Sequence, residues 1–295
     1  MRKSVCFVIL IVAVFSGKIF AQTTSQQQEA QRTIGERQAQ QREFGKFKDV
    51  VQPKAILAKR AALPFKTKRT REQNKRLSPD AGDLSKFALF LRQPKTGLVK
   101  LFSDLGCEDN ANVIYASEEC LRWIPNSAFY SFREREHTNE YLSDLRVEKG
   151  NFISDGILSQ GILVSLSDAS LDNLTLNSNG MKFLVDFAPE ANSKEALRQT
   201  QQLTKGVKSN GFVYKKSLPV VENTTYAMRV VAYRGKFFRF FRGFNFNVLD
   251  GDERADLIVA FQVVGKPDNG SVTLLWKELQ RKEAPKVIFP QKSKK

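Results

Sequence analysis

The order of strand-like segments after residue 97 constrains the fold of this chain more than any other feature of its sequence. Short runs of alternating or β-branched apolar residues, bounded by turn residues, predict strands. The segments with this pattern are Leu98–Phe102, Ala128–Glu134, Gly161–Leu166, Lys182–Phe187, Phe212–Lys215, Thr225–Tyr233, Leu257–Val264 and Val272–Lys277. Most of them follow one another without a helix between them, which disfavours a parallel sheet with crossover helices. We therefore expect an α+β, β-rich fold: a mostly antiparallel sheet or half-barrel with one or two packed helices.

Two helices and one hairpin stand out within this pattern. Helical spacing of apolar residues predicts a short helix over residues 80–92. A second helix is predicted over Lys194–Lys205, with Ser193 as its N-cap and Gly206 at its end. The last two predicted strands flank residues 266–270, whose Pro, Asn and Gly residues suit a tight turn.

The N-terminal residues predict export. Arg2 and Lys3 precede an unbroken apolar run, Val5–Phe15, and Ala21 offers a small residue for cleavage, which is the layout of a signal peptide over residues 1–21. A run of this length is too short to cross about 30 Å of hydrocarbon as a helix. We therefore expect a secreted or periplasmic protein that has no transmembrane segment after signal cleavage.

Two cysteines, Cys107 and Cys120, follow the predicted signal peptide. An even pair of cysteines in an oxidising compartment predicts a disulfide bond, with half of a metal site or two free thiols as the alternatives. A zinc site is disfavoured because the whole chain contains a single histidine. We expect no bound metal and no small-molecule cofactor.

Charge divides the remaining chain into two parts. Residues 22–80 carry 14 Lys and Arg against 6 Asp and Glu, whereas residues 81–295 carry 30 against 25. Thr23–Gln41 is rich in Gln and has few bulky apolar residues, so it buries too little surface to offset its ordering entropy. We expect a disordered or partly helical basic arm over 22–80, a β-rich globular domain over 81–282 and a basic tail over 283–295.

The densest cluster of cations lies at the end of this arm. Arginine binds phosphate and carboxylate groups in a bidentate geometry, so a run of such residues is a candidate anion-binding segment. A solvated tether is the alternative, because charge runs usually face water. The candidate residues are Lys66, Lys68, Arg69, Arg71, Lys75 and Arg76.

A phenylalanine-rich segment, Arg234–Phe244, is the most unusual part of the body. As a helix, it would carry an apolar stripe flanked by cations, like a helix that lies in a membrane interface. As a strand, it would combine Phe side chains and cations on a face that could stack on rings while binding anionic groups. The strict alternation of Phe244–Val248 favours the strand, and a plain core strand is the alternative to any binding role. The candidate ligand or membrane surface consists of Lys236, Phe238, Arg239, Phe240 and Arg242.

Two groups of residues are candidates for chemistry. His137, the only histidine, would need a nucleophile and an orienting carboxylate from elsewhere to act as a general base. Asp250–Asp256 offers closely spaced carboxylates that could hold Ca²⁺, but it lacks the ligand order of an EF-hand loop, and a solvated turn is the alternative. Neither pattern specifies a reaction, so we assign no catalytic residue.

These observations favour an exported, non-catalytic binding or structural protein of the cell envelope or extracellular space. Its basic arm would contact an anionic polymer, an anionic lipid surface or another envelope protein, because an excess of positive charge attracts such partners. The alternative hypothesis is a secreted hydrolase whose active site uses His137 or the Asp250–Asp256 loop.

Overall fold

The computed structural model describes residues 69–103, 124–167, 169–241, 244–267 and 269–289. The predicted signal peptide, most of the basic arm and both cysteines of the predicted disulfide, Cys107 and Cys120, lie outside these residues, so those assignments stay predictions. The described chain apart from residues 240–245 forms one compact unit.

Fourteen strands account for most of the regular structure in these residues. In chain order they are β1 (Thr96–Phe102), β2 (Phe129–Ser131), β3 (Glu136–His137), β4 (Leu145–Glu148), β5 (Asn151–Ile153), β6 (Ser159–Ser165), β7 (Val207–Ser209), β8 (Phe212–Tyr214), β9 (Ser217–Pro219), β10 (Thr225–Ala232), β11 (Phe238–Phe241), β12 (Phe244–Asn247), β13 (Ala255–Gly265) and β14 (Ser271–Glu283). All strand pairs with a defined register are antiparallel. The predicted antiparallel, β-rich fold is confirmed.

The first of two five-stranded sheets has the strand order β1-β14-β13-β10-β6. Its centre is the long hairpin of β13 and β14, the hairpin that the turn residues predicted. Both strands are longer than the apolar pattern indicated. The charged end of β14 continues to pair with the start of β13, where Arg281 lies opposite Leu257 and Glu283 opposite Ala255.

The second five-stranded sheet, with the order β3-β2-β4-β5-β9, packs face to face on the first. Phe132 and Phe152 on its side meet Trp276 and Phe261 of the first sheet. The ring centroids lie 5.4 Å apart for Phe132 and Trp276, and 5.2 Å apart for Phe152 and Phe261. All four side chains are buried, and their apolar area contributes to folding at roughly 25 cal/mol per Å².

Five short helices flank the sheets in the described part of the chain: α1 (Arg71–Leu77), α2 (Ala81–Lys86), α3 (Ala88–Leu91), α4 (Lys182–Asp186) and α5 (Ser193–Lys205). Phe90 of α3, Leu184 of α4 and Leu203 of α5 belong to an apolar cluster on the outer face of the first sheet. Strand β10 is therefore covered on both faces, and every one of its residues is buried. This double burial explains why its sequence is a mostly apolar run rather than an alternating one.

The longest helix, α5, occupies the predicted range. Its N-cap is Asn192 rather than Ser193, and the Asn192 side chain accepts a hydrogen bond from the backbone N–H of Lys194 at 2.9 Å. Gly206 ends the helix with a φ of +102°, a conformation that a residue with a Cβ rarely adopts. The other predicted helix, over 80–92, is interrupted at Phe87, which separates α2 from α3.

One strand assignment is wrong, because the segment Lys182–Phe187 contains helix α4. Met181 and Leu184 are both fully buried, and a three-residue spacing places them on one face of a helix. Lys182 and Asp186 lie one turn apart and form an ion pair of 2.6 Å. A short apolar run by itself does not separate a strand from a helical turn.

Both ends of the described chain pack against the body. Helix α1 falls within the predicted basic arm, and its last residue, Leu77, is buried. At the other end, the predicted basic tail begins with a packed segment in which Ala284 and Val287 are buried and Ile288 bridges to Asn192. Within the described ranges, none of the helices combines the length and apolar character needed to span a bilayer.

Candidate functional site

Strand β11 presents phenylalanine side chains to solvent beside cations. It pairs with β12 in a two-stranded sheet, so the strand interpretation of this segment is right and the helical one is wrong. Phe238 and Phe240 are 53% and 36% exposed. Lys236 and Arg239 are also exposed, whereas Arg242 lies outside the described residues. A plain core strand is excluded for Phe238 by its exposure.

Phe237 anchors β11 to the body. Its side chain packs against the buried cluster of Phe246 and Val248. Its ring stacks with that of Phe289 at a centroid distance of 6.2 Å, and the Arg239 guanidinium lies 4.6 Å from its centroid. The residue just before β11 is therefore attached to the body, and it lies between the exposed Lys236 and Phe238 in the sequence.

Asn247 fixes the base of this hairpin. Its Oδ1 accepts a hydrogen bond from the backbone N–H of Phe237 at 2.7 Å, and its Nδ2 donates to the carbonyl of Gly235 at 3.1 Å and to Oδ1 of Asp250 at 2.8 Å. Gly235 has a φ of +150°, which its missing Cβ permits. Three hydrogen bonds of the Asn247 side chain thus fix the residues that precede β11 against the end of β12.

Helix α1 presents part of the predicted cation cluster. A capping box begins the helix: the Thr70 hydroxyl accepts from the backbone N–H of Gln73 at 3.1 Å, and the Gln73 side chain accepts from the backbone N–H of Thr70 at 2.8 Å. Leu77 attaches the helix to the body, while Arg71 and Lys75 are exposed. The structure thus fixes these cations on a short packed helix rather than on a free tether.

The other members of the predicted cluster differ in their availability. Arg76 is exposed and lies over the ring of Phe102, with its guanidinium 5.9 Å from the centroid. Arg69 is half-buried, and its Nε donates to the carbonyl of Pro125 at 2.8 Å. Burial lowers the pKa of Arg69, and the guanidinium is partly committed to the body. Lys66 and Lys68 lie outside the described residues.

The surroundings of α1 are also basic. Residues 69–103 carry eight Lys and Arg against three Asp and Glu. Lys100 is paired with Asp80 at 3.2 Å. Arg71, Lys75 and Arg92 have no ion pair within the described ranges, which leaves their charge directed to solvent.

His137 is not arranged as a general base. It lies opposite Tyr130 in the second sheet, and the two rings meet edge to face at 5.7 Å. Burial, and secondarily the charge of Arg69, lower the pKa of His137 to about 4. A general base works best with a pKa near the ambient pH and with a carboxylate that orients it, whereas the charged group acting on this imidazole is a cation.

The predicted acidic loop is largely used in buried ion pairs. The Asp252 side chain is 1% exposed and accepts hydrogen bonds from Arg133 and from Arg254, the latter at 3.1 Å. Arg133 also donates from Nε to Oδ1 of Asp144 at 2.6 Å. These two arginines and two aspartates form a network with no net charge, which we call the arginine–aspartate network. The interpretation of Asp252 as part of a calcium loop or a solvated turn is wrong.

The remaining aspartates of the loop point to different partners. Asp256 is buried and forms a bidentate pair with Arg229, whose Nε and Nη2 lie 2.8 and 2.6 Å from its two oxygens. Arg229 also donates to the carbonyls of Leu184 and Phe187 near the end of α4, at 2.6 and 2.7 Å. Across the residues that the structure describes, no group of three or more His, Cys, Asp or Glu side chains is placed to hold a metal ion.

Sequence reasoning missed the contribution of the C-terminal segment to the surface around β11. Phe289 stacks on Phe237, and Ile288 beside it is exposed. These residues were assigned to the basic tail over 283–295, although Val287, Ile288 and Phe289 form an apolar triplet in that tail. The triplet was the available signal that the segment packs rather than frays.

Comparison with protein families, curated proteins and solved structures finds no match to this chain. Its function is therefore inferred from its own side chains and their geometry.

Proposed function

We propose that this protein is an exported, non-catalytic binding protein of the cell envelope or extracellular space that attaches to an anionic surface or partner. The observation that carries the proposal is the exposed, unpaired set of cations on α1 and next to it. Arg71, Lys75 and Arg92 have no carboxylate partner among the described residues, and α1 itself is attached through Leu77.

Electrostatics gives these cations a role that paired surface charges lack. An exposed ion pair is already neutralised locally, whereas an unpaired cation raises the potential over about one Debye length, roughly 10 Å at 0.1 M salt. Several such cations on one packed helix bind a polyanion and release its counterions. We therefore expect the binding to weaken strongly as the salt concentration rises.

The hydrolase hypothesis has less support from the geometry. His137 has a cation rather than a carboxylate acting on it, and the pKa of its imidazole is lowered well below neutral pH. Asp252 is held in the arginine–aspartate network and is not available to activate water. A binding function uses the exposed groups of the chain, and Lys and Arg outnumber Asp and Glu among the exposed side chains that the structure describes.

The proposal is tested by binding of the protein isolated after export to anionic vesicles, an anionic polysaccharide and duplex DNA over a range of salt concentrations. The informative variant is the triple substitution Arg71→Gln, Lys75→Gln and Arg76→Gln. We expect at least about tenfold weaker binding at low salt, and a salt dependence reduced by up to about one unit of slope for each lost phosphate contact.

A matched control is the triple substitution Lys194→Gln, Lys205→Gln and Lys208→Gln. These three cations are also exposed, and the control removes the same total charge from a different surface. Equal losses in both triple variants would contradict α1 as the contact. Failure of the unmodified protein to bind any of the three anionic targets at low salt would refute the proposed function.

A further inference from the structure

Two segments that are distant in sequence meet at Phe237, and a third, which carries Tyr141, lies within electrostatic range of them. Phe289 stacks on the Phe237 ring, the guanidinium of Arg239 lies over the same ring, and the charge of Arg239 acts on the hydroxyl of Tyr141. We call the group the aromatic patch. Its exposed members are Tyr141, Phe238, Ile288 and Phe289, which are 50%, 53%, 60% and 41% exposed.

We infer that the partner in the proposed function is the interface of an anionic phospholipid membrane, and that the aromatic patch inserts its apolar side chains among the lipid headgroups. This inference rests on the proposed function and adds the class of partner and the residues that enter it. The cations beside the patch contact lipid phosphates as the apolar side chains enter.

The apolar character of the patch favours lipid over a soluble polyanion. A polysaccharide or nucleic acid gains little from Ile288, which offers neither a charge nor a ring for stacking. The ring of Phe237 is also occupied, because Phe289 and Arg239 already lie against it. In a membrane interface, by contrast, every exposed apolar side chain gains free energy in proportion to the area that it removes from water.

The charges around the patch complement an anionic bilayer. Lys236, Arg239 and Lys286 are exposed on the segments that carry Phe238 and Ile288. The Tyr141 hydroxyl donates a hydrogen bond to Glu140, and the exposed Asp250 accepts one from Asn247 at the base of the hairpin. The three cations outnumber these two carboxylates, and each basic residue near an anionic leaflet strengthens attachment.

Attachment to a membrane in this way needs both the inserted apolar side chains and the cations beside them. A few partly inserted apolar side chains give only weak and reversible binding, and a few cations near the surface are screened by salt. Together they produce binding that requires anionic lipid and also responds to loss of a single Phe. Binding to a partner that is recognised through charge alone is weakened by loss of the cations and not by loss of a Phe.

The test measures co-sedimentation of the protein with vesicles of phosphatidylcholine alone and of phosphatidylcholine with about one third phosphatidylglycerol, and binding to heparin as a lipid-free polyanion. Phe238→Ala and Ile288→Ala are compared with Leu89→Ala, since Leu89 is 78% exposed on α3 and is not part of the patch. We expect roughly fivefold weaker binding to the anionic vesicles for each patch variant, and unchanged binding for Leu89→Ala. Heparin binding should be the same in all three variants.

A second measurement follows insertion directly. The chain has two native tryptophans: Trp276 is buried and does not reach lipid, and Trp123, which lies outside the described residues, is replaced by Phe for this measurement. On that background, Phe238→Trp places a new indole where an exposed ring stood. We expect its emission to shift to shorter wavelength with anionic vesicles and to be quenched by brominated acyl chains. Heparin should produce neither change.

The outcomes separate the inference from the proposed function. Binding to heparin and to anionic vesicles that is insensitive to Phe238→Ala, without a shift in Phe238→Trp, overturns the membrane inference and leaves attachment to a polyanion in place. Absence of binding to vesicles and to heparin alike overturns both.

Discussion

Arginine side chains in two regions of this protein meet opposite environments. Arg133 and Arg229 are buried beneath the start of β13 and each of them binds a carboxylate, whereas Arg71 on α1 and Arg239 on β11 are exposed and have no ion pair within the described ranges. The buried arginines hold segments of the fold together, and the exposed ones remain available to a partner. Within the described residues, the exposed arginines keep a charge that can act on other molecules, whereas the buried ones are neutralised by their partners.

The same contrast explains why the acidic loop was a misleading candidate. Asp252 and Asp256 lie four residues apart in a sequence that resembles a cation site, yet Asp252 pairs with Arg133 and Arg254, and Asp256 pairs with Arg229. Carboxylates that are already paired in the interior contribute to the specificity of the fold rather than to ligand binding. The role of a cluster of charged residues can be assigned only when their partners in the fold are known.

The largest loss of stability should follow removal of a buried arginine. Arg133→Met leaves Asp144 in the interior without its main partner and takes one of two arginines from Asp252, so we expect a loss of about 3–5 kcal/mol in the free energy of unfolding. Urea denaturation followed by circular dichroism measures the change. Arg135→Met is the control, because the Arg135 side chain is half-exposed and its contact with Glu278 is a loose 3.7 Å, and it should cost less than about 1 kcal/mol. Equal effects of the two substitutions would contradict the structural role of the network.

His137 adds a second test, because it is a partly buried base on which a cation, rather than a carboxylate, acts. Its pKa is lowered from 6.5 to about 4, so between these pH values the unfolded chain binds a proton that the folded chain does not. The free energy of unfolding should fall by up to about 3 kcal/mol as the pH is lowered from about 6.5 to 4. Above pH 6.5 this loss is absent, because His137 is neutral in both the folded and the unfolded chain. Urea titrations at a series of pH values measure this loss. The His137→Gln variant should show a flatter dependence in that window, and an identical dependence in both proteins would rule the contribution out.

The smallest expected effect comes from the exposed cations. The triple substitution Arg71→Gln, Lys75→Gln and Arg76→Gln should change the free energy of unfolding by no more than about 0.5 kcal/mol, because the packing of Leu77 is retained. Thermal and urea denaturation of the variant and the unmodified protein measure the difference. A loss of several kcal/mol would place these cations with the structural arginines and would weaken their assignment to binding.

Sequence patterns located the strands of the first sheet better than those of the second. Strands β10, β13 and β14 are long and apolar, so their composition alone predicted them. Strands β4 and β5 have four and three residues, which is too few for a periodic signal, and neither was predicted. The predicted strand Ala128–Glu134 shrinks to β2 because the chain turns after Ser131 and Arg135 adopts a φ of +57°.

The candidate site was predictable only in part. The unusual composition of Arg234–Phe244 and the cation cluster before residue 80 identified β11 and α1 as segments of interest. The partners of these residues lie far away in sequence: Phe289 packs on Phe237, and Asp252 pairs with Arg133 from 119 positions away. Contacts of this kind depend on the tertiary fold, and local periodicity carries no information about them.

The order of strands in the first sheet has a consequence for how the chain is made. Strand β1 lies at the edge of that sheet, and its only neighbour in the sheet is β14, the last strand of the described chain. A nascent polypeptide that leaves the ribosome with its N-terminus first cannot complete this sheet until its final strand has been synthesised. For a protein exported as we propose, we expect this delay to leave the first sheet incomplete until its C-terminal strand has crossed the membrane.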